Sequence, residues 1–361
     1  MPSGDPEARV ALAPFTTLRV GGEARWFARA GTADDIAAAH RWSQQRGVPL
    51  FVLGGGSNLV VADEGVDALV LQVGLGGVAF VADGGDVLVT AGAGEPWDPL
   101  VASTVERRLA GLESLSGIPG CVGGTPIQNV GAYGQEVAET IERVTVYDRT
   151  DAGMTILTGS DCRFDYRVSR FKREDAGRFV VCGVTFRLHE AAPAPAYPDI
   201  ISYLERAGVV SPTVADVRDA VLAVRRRKGM VIDEGDPDTR SVGSFFMNPI
   251  VPAAACERVA SAAGVDPPVF ELLGGRVKIP AAWLIERTGF RRGHAEGPAG
   301  LSGKHTLALV NRGGATARDV LRLAVRIKRA VADGFGVWLQ PEPVFVGFGR
   351  DPDVEYLQSH P

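Results

Sequence analysis

Two glycine-rich stretches are the first places where this sequence could do chemistry. LGGGSNLVV covers 53–61, and IPGCVGGTPIQNVGAYGQEV covers 118–137. A packed core wants side chains and a surface loop wants polar ones, and neither stretch has many of either. Glycine lets main-chain N–H groups come close to something flat or charged. Gly54, Gly55 and Gly56, with Ser57 and Asn58, can aim several N–H groups at one phosphate. A second loop of this kind could grip the other end of a long cofactor. The plain alternative for GGGSN is a tight turn between strands. It is not a G-x-G-x-x-G pattern, and VVADEG after it reads extended, so a Rossmann reading is weak.

Four polar clusters follow. DYRVSRFK, 165–172, could clamp a carboxylate or phosphate through arginine, or be a solvated strand edge. AVRRRKG ends a helix at Gly229, where basic residues complement the helix dipole. SVGSFFMNP, 241–249, sets Ser244 and Asn248 around two phenylalanines that read as core. It lacks the G-x-S-x-G elbow of a serine nucleophile. LQPEPVFVG, 339–347, holds Glu342 between two prolines, which stiffen the backbone beneath the carboxylate. Taken alone, that segment reads as an exposed turn.

Alternating helix and strand signals must position these groups. Thr32 can cap ADDIAAAHRWSQQRG, with Asp35 three residues on and Gly47 closing it. VPLFVL then reads as a buried strand that runs into GGGSN. LVV, ALVLQV, GVAFVA, DVLVTAG, RVTVYD and RFVVCGVTFRL read as further strands. A helix is expected over 96–109, with Pro96 in its first turn. HEAAPAPAYPD, 189–199, reads as a linker. Beyond it, helices are expected over SPTVADVRDAVLAVRRRKG (capped by Thr213 or Ser211), AAWLIERTG and TARDVLRLAVRIKRAVADG, the last opened by Thr316 and Asp319. GVWLQPEPVFVG is expected to form a strand pair around its Pro-Glu-Pro. The first half thus reads as α+β with many short strands, the second as a smaller α/β domain.

Composition narrows the function classes. The chain has 361 residues, 45% hydrophobic and 22% charged, and two or three domains are expected. Its net charge of −5 argues against general nucleic-acid or membrane-surface binding. Cys121, Cys162, Cys182 and Cys256 form no C-x-x-C pair, and the histidines show no metal-ligand spacing. No metal is expected. The N-terminal segment has no apolar signal-peptide core, and no apolar run nears the ~18 residues of a membrane span. A cytoplasmic protein is expected.

Five motifs in order carry a resemblance. LGGGSNLVV, GLESLSGIPGCVGGTPIQNVGAYGQEV, YRVSRFK, GSFFMNP and QPEPVFVG are similar to those of the UDP-N-acetylenolpyruvoylglucosamine reductases, the MurB family. The likeness runs from FTTLRVGG at 15–22 to VFVG at 344–347. It implies an α+β fold: a two-lobed FAD-binding domain of the vanillyl-alcohol oxidase/p-cresol methylhydroxylase type, plus a smaller C-terminal α/β substrate-binding domain. The expected boundaries are 1–75 and 76–210 for the two flavin lobes and 211–347 for the substrate domain. The last strand of that domain returns to the active site, and 348–361 is a tail.

The resemblance further implies non-covalent FAD, NADPH as hydride donor, and reduction of UDP-N-acetylglucosamine enolpyruvate to UDP-N-acetylmuramate for peptidoglycan. A monomer suffices. It assigns the pyrophosphate to Gly54–Asn58. The flavin goes to Gly117, Ile118, Pro119, Gly120, Gly123, Gly124, Gln128, Asn129, Gly131, Ala132 and Tyr133. Arg167 would support the substrate carboxylate, Glu342 would polarise it, and Ser244 would donate the proton. Tyr166, Tyr197, Lys228 and Asn248 would hold the UDP-sugar, with Tyr197 on a covering loop (type I). Two departures stand out: MVIDEGDPDTRSV after RRRKG is long, and Arg287 stands where the family often has glutamine. Two other readings are a flavin oxidase of the same fold and a flavin- or nucleotide-binding regulator without turnover. GGGSN lacks the histidine that usually tethers flavin in such oxidases, and a regulator would be expected to lose Arg167, Ser244 or Glu342.

Overall fold

The computed structural model describes residues 5–360. The chain divides into two compact units. One comprises the chain up to Val10, Ala24–Gly56 and Asp67–Val231; the other comprises Ala11–Glu23, Ser57–Val66 and the chain from Ile232 onward.

The first unit carries helices α1 (Ala33–Arg46), α2 (Trp97–Glu106), α3 (Thr125–Gln128), α4 (Pro198–Arg206) and α5 (Val214–Arg227). A capping box of Thr32 and Asp35 opens α1, and Gly47 in the left-handed region (φ 61°) closes it, as expected. Thr213 and Asp216 form the same box on α5. The helix expected over 96–109 is shorter: Pro96 is its N-cap, it ends at Glu106, and Leu109–Ala110 joins a sheet instead.

Two sheets frame these helices. One has the order Glu7–Ala11, Glu23–Ala30, Val66–Val73, Leu50–Leu53, the last two strands parallel. The other is antiparallel, in the order Gly153–Thr158, Ile141–Asp148, Phe179–Glu190, Asp86–Gly92, Val78–Asp83. Val184, Phe186 and Leu188 alternate along their strand and are all buried, so one sheet face supplies core. That core continues through Trp97, Leu100 and Val101 of α2 and Ile36 and Ala39 of α1.

The second unit carries α6 (Ala255–Ala263), α7 (Ala281–Arg287), α8 (Ala317–Phe335) and α9 (Pro352–Gln358). Thr316 and Asp319 box the start of α8. Val320, Ala324, Ile327 and Val331 recur at helical spacing and are buried, which makes α8 the spine of this unit. Around it lie two small antiparallel sheets, Ile250–Pro252, Arg276–Lys278, Phe270–Leu272 and Ala295–Glu296, Ala299–Leu301, Leu309–Asn311. The strand pair expected within GVWLQPEPVFVG does not form. Val344–Val346 instead pairs in parallel with Leu59–Val61, and Pro341 makes a single bridge to Phe246. Two prolines leave this segment short of N–H donors, so it cannot fold back on itself as a hairpin.

Candidate active site

The strand Leu50–Leu53 delivers Gly54, Gly55 and Gly56 as its extension, and no helix follows them. The second glycine loop is pinned beside the start of α2. Trp97 N–H donates to Gly120 O at 3.0 Å, Val122 N–H to Glu95 O at 2.9 Å and Gly123 N–H to Ala93 O at 2.9 Å. The two loops touch: a Cβ built on Gly55 would lie 2.6 Å from Gly120 Cα. Main chain meets main chain there, and only glycine fits. Cβ atoms on Gly54 and Gly124 would meet nothing within 4 Å, so open space adjoins the contact. Among the described residues, the amides of Gly55, Gly56 and Ser57 donate to no protein acceptor. Successive unspent N–H groups beside open space suit a phosphate-bearing cofactor such as FAD.

Gly117, held at φ 71°, begins the second loop, and Ile118 and Pro119 follow, half-buried. Its N–H donates to Asp98 Oδ1 at 2.6 Å. Arg218 of α5 grips the same carboxylate through two bonds, 2.7 and 2.9 Å. Burial alone would raise the Asp98 carboxyl, but Arg218 and the Gly117 amide outweigh it and hold it below its usual range. Asp98 thus ties α2, α5 and the glycine loop together.

Arg167 sits at the turn of a narrow hairpin bridged between Asp165 and Val168, in the left-handed region at φ 56°. Its guanidinium donates to Asn129 O at 3.0 Å and to Gly131 O. Asn129 Nδ2 returns a bond to Asp165 O at 3.0 Å, and Lys172 Nζ reaches Gln128 Oε1 at 3.0 Å and Arg167 O at 3.2 Å. YRVSRFK and residues 128–131 are therefore one bonded piece. Tyr166 lies beside it, its ring centroid 5.4 Å from the Arg167 guanidinium. Ala132 follows in a two-residue strand with Gly131.

A third group gathers around Tyr133. Its ring meets that of Tyr197 edge-on at 5.2 Å, and Lys228 Nζ lies 5.9 Å from its centroid. Lys228 also pairs with Asp199 at 2.7 Å. Beneath them Arg225 is 7% exposed, and its Nε has no partner among the described residues. Burial pushes the Arg225 guanidinium down and the Tyr133 phenol up. Arg225 was not singled out in the sequence, where the helix dipole accounted for most of the basic run and the resemblance assigned a ligand role to Lys228 alone. A signal existed: Val217 and Val221, eight and four residues earlier, put Arg225 on the buried stripe of α5.

The second unit brings Ser244, Glu342, Asn248 and Asn58 close along the backbone. Phe245 and Phe246 are core, as expected, at 0% and 1% exposure. Glu342 N–H donates to Phe245 O at 2.9 Å and Met247 N–H to Gln340 O at 2.9 Å, so the Ser244 segment is zipped to the Glu342 segment. Asn58 Nδ2 donates to Glu342 O at 3.2 Å. Asn248 Oδ1 accepts Ala281 N–H at 2.9 Å and so caps α7, which Pro280 at the N-cap cannot do. Arg287 stacks on Trp283 at 3.8 Å.

The chain is similar to known proteins over most of its length. Residues 24–156 match the family model described as "FAD binding domain", and 236–346 match "UDP-N-acetylenolpyruvoylglucosamine reductase, C-terminal domain". A UDP-N-acetylenolpyruvoylglucosamine reductase of Thermobifida fusca is 49% identical over 94% of this chain and 97% of its own length. That of Salinispora arenicola is 48% identical over 94% and 96%. The crystal structure of UDP-N-acetylenolpyruvylglucosamine reductase (MurB) from Thermus caldophilus matches with a TM-score of 0.64 at 27% identity, over 94% of this chain and 98% of that one. The matched FAD-binding domain and the reductase relatives make this chain a flavin-dependent oxidoreductase. The chain belongs to the UDP-N-acetylenolpyruvoylglucosamine reductase family. Among the described residues no helix is long and apolar enough to cross a membrane.

Proposed function

We propose that this chain reduces the enolpyruvyl ether of UDP-N-acetylglucosamine to the lactyl ether of UDP-N-acetylmuramate, a step in making peptidoglycan precursor. NADPH is the hydride donor, and one chain suffices for turnover. The observation that carries the reading is identity of 49% sustained over 94% of the chain, because it takes in both matched domains.

The residues would divide the work as follows. Gly54–Asn58 hold the pyrophosphate of FAD through main-chain N–H groups. Gly117–Gly120, Gly123, Gly124, Gln128, Asn129 and Gly131–Tyr133 lie along the flavin. When bound at these loops, FAD would supply the hydride that the methylene carbon of the substrate accepts. Negative charge then builds on the neighbouring carbon and its carboxylate. Arg167, its guanidinium braced by two main-chain carbonyls, offers that carboxylate fixed positive charge. Glu342 polarises the same group from a backbone stiffened by proline on either side. Ser244 gives its Oγ proton to the ether-bearing carbon. A hydroxyl is a weak acid, but a carbanion-like centre is a strong enough base to take its proton. Tyr166, Tyr197, Lys228 and Asn248 bind the UDP-sugar, and Tyr197 with Lys228 forms a cluster suited to a phosphate-bearing ligand.

The test is a pair of half-reactions on purified protein without oxygen. NADPH should bleach the ~450 nm flavin band, and UDP-N-acetylglucosamine enolpyruvate should restore it. Bleaching without recovery would rule out this substrate. Recovery with oxygen alone would favour an oxidase.

A further inference from the structure

The last helix among the described residues, α9, lies beyond the 236–346 span that matches the C-terminal family model. This helix is held by polar contacts. Lys328 lies on the buried face of α8 and is 0% exposed. Its Nζ donates to Leu357 O at 2.7 Å and to Ser359 O at 2.8 Å. These are carbonyls at the C-terminal end of α9, which no intrahelical N–H reaches. The rings of Trp338 and Tyr356 flank the ammonium at 5.3 and 5.4 Å. Two carbonyls and two ring faces replace the water this charge has lost. Gln340 Nε2 donates to the same Ser359 O at 3.0 Å. At the other end of α9, Arg318 grips Asp351 and Asp353.

Trp338 and Gln340 belong to the strap that leads into Pro341-Glu342-Pro343. Gln340 is two-sided. Its side chain reaches α9, while its carbonyl accepts Met247 N–H at 2.9 Å in the segment that carries Ser244. Two residues on, Glu342 N–H donates to Phe245 O at 2.9 Å in the same segment. Any shift of the strap against α9 would therefore move Glu342 and pull on the Ser244 segment together. Proline at 341 and 343 leaves little backbone freedom to absorb the shift.

We infer that Lys328 and Gln340 are positioning residues for substrate reduction: by capping α9 they lock the strap that sets the backbone of Glu342 and Ser244. This rests on the roles proposed above for those two residues. A misplacement of ~1 Å in reacting groups can cost on the order of 100-fold in rate, so modest loosening is enough to be measured.

Gln340→Ala and Lys328→Met, in the full FAD-loaded chain, test it by rapid mixing. Bleaching by NADPH should stay within about twofold of the parent, while recovery of the flavin band at saturating substrate slows about 10-fold or more. The half-saturating substrate concentration should change little. Adding Gln340→Ala to Glu342→Gln should then slow recovery by clearly less than it does in the parent, because the part of the effect that runs through Glu342 is already lost and only the part through the Ser244 segment remains. Equal slowing by Gln340→Ala in both backgrounds, or equal slowing of both half-reactions, would overturn the inference and leave the proposed function standing. An unaffected Glu342→Gln variant would instead overturn the role of Glu342, and this inference with it. Should Lys328→Met fail to fold, Gln340→Ala decides alone, its integrity checked by thermal melting.

Discussion

At the scale of single residues, the glycine loops and the Ser244 segment give the sharpest expectations. Gly55→Ala puts a methyl carbon 2.6 Å from Gly120 Cα, main chain against main chain, so the two loops must part. FAD affinity should fall at least about 10-fold while the far-ultraviolet circular dichroism stays that of the parent. A Gly55→Ala protein that still binds FAD as tightly as the parent would contradict the placement of the cofactor there. Ser244→Ala should leave flavin reduction by NADPH intact and slow reoxidation by substrate about 100-fold, the loss of a proton donor. If both half-reactions slow together, the assignment to Ser244 is wrong. Residue-level legibility was uneven. Adjacent glycines flanked by strand signals mark a close approach in any fold, so 54–56 and 117–124 stood out. Arg225 did not, because Arg226, Arg227 and Lys228 share its charge and only helical phase separates the buried arginine from its exposed and half-buried neighbours.

At the scale of elements, the sequence was most readable where side chains terminate helices. Thr32, Thr213 and Thr316 each bond the amide three residues on, and each has an aspartate there that bonds back. This geometry is local, so nothing distant is needed to predict it. Thr213→Ala should cost about 1 kcal/mol of stability, seen as a lower denaturant midpoint. An unchanged midpoint would mean that the contacts of Val217, Val221 and Val224 alone hold α5. Partners of strands were less readable. Val344–Val346 has a strand's composition, but its partner Leu59–Val61 lies near the other end of the chain. No local pattern distinguishes that pairing from the hairpin expected around Pro-Glu-Pro. The early end of α2 is similar: Leu109–Ala110 fits a helix or a strand, and the sheet that claims it is assembled from distant residues.

At the scale of the whole molecule, stability in acid depends on buried carboxylates. Asp148 is the clearest case. Arg178, donating through Nε and Nη2, holds its carboxyl down at about 2, against partial desolvation. The unfolded chain would take up a proton on this residue near the ordinary value of about 3.9. Between those pH values the unfolded state binds more protons than the native state. The pair therefore stabilises fully above about pH 4, and its contribution is lost as pH falls toward 2. Asp148→Asn should lower stability at neutral pH and flatten its decline over that window. An unaltered acid limb, followed by urea unfolding from pH 5 to 2, would rule the pair out as its cause. The pairing of Leu59–Val61 with Val344–Val346 has another consequence, in the order of events during synthesis. The second unit draws on residues 11–23 and 57–66 as well as on the chain from Ile232 onward, and Asn311 bonds the carbonyls of Leu18 and Arg19. A ribosome making this chain at roughly 5–20 residues per second exposes Leu59–Val61 many seconds before its partner exists. Until Val344–Val346 has emerged, an apolar strand edge stands open on the nascent chain, a place where chaperones or a neighbouring polypeptide can bind.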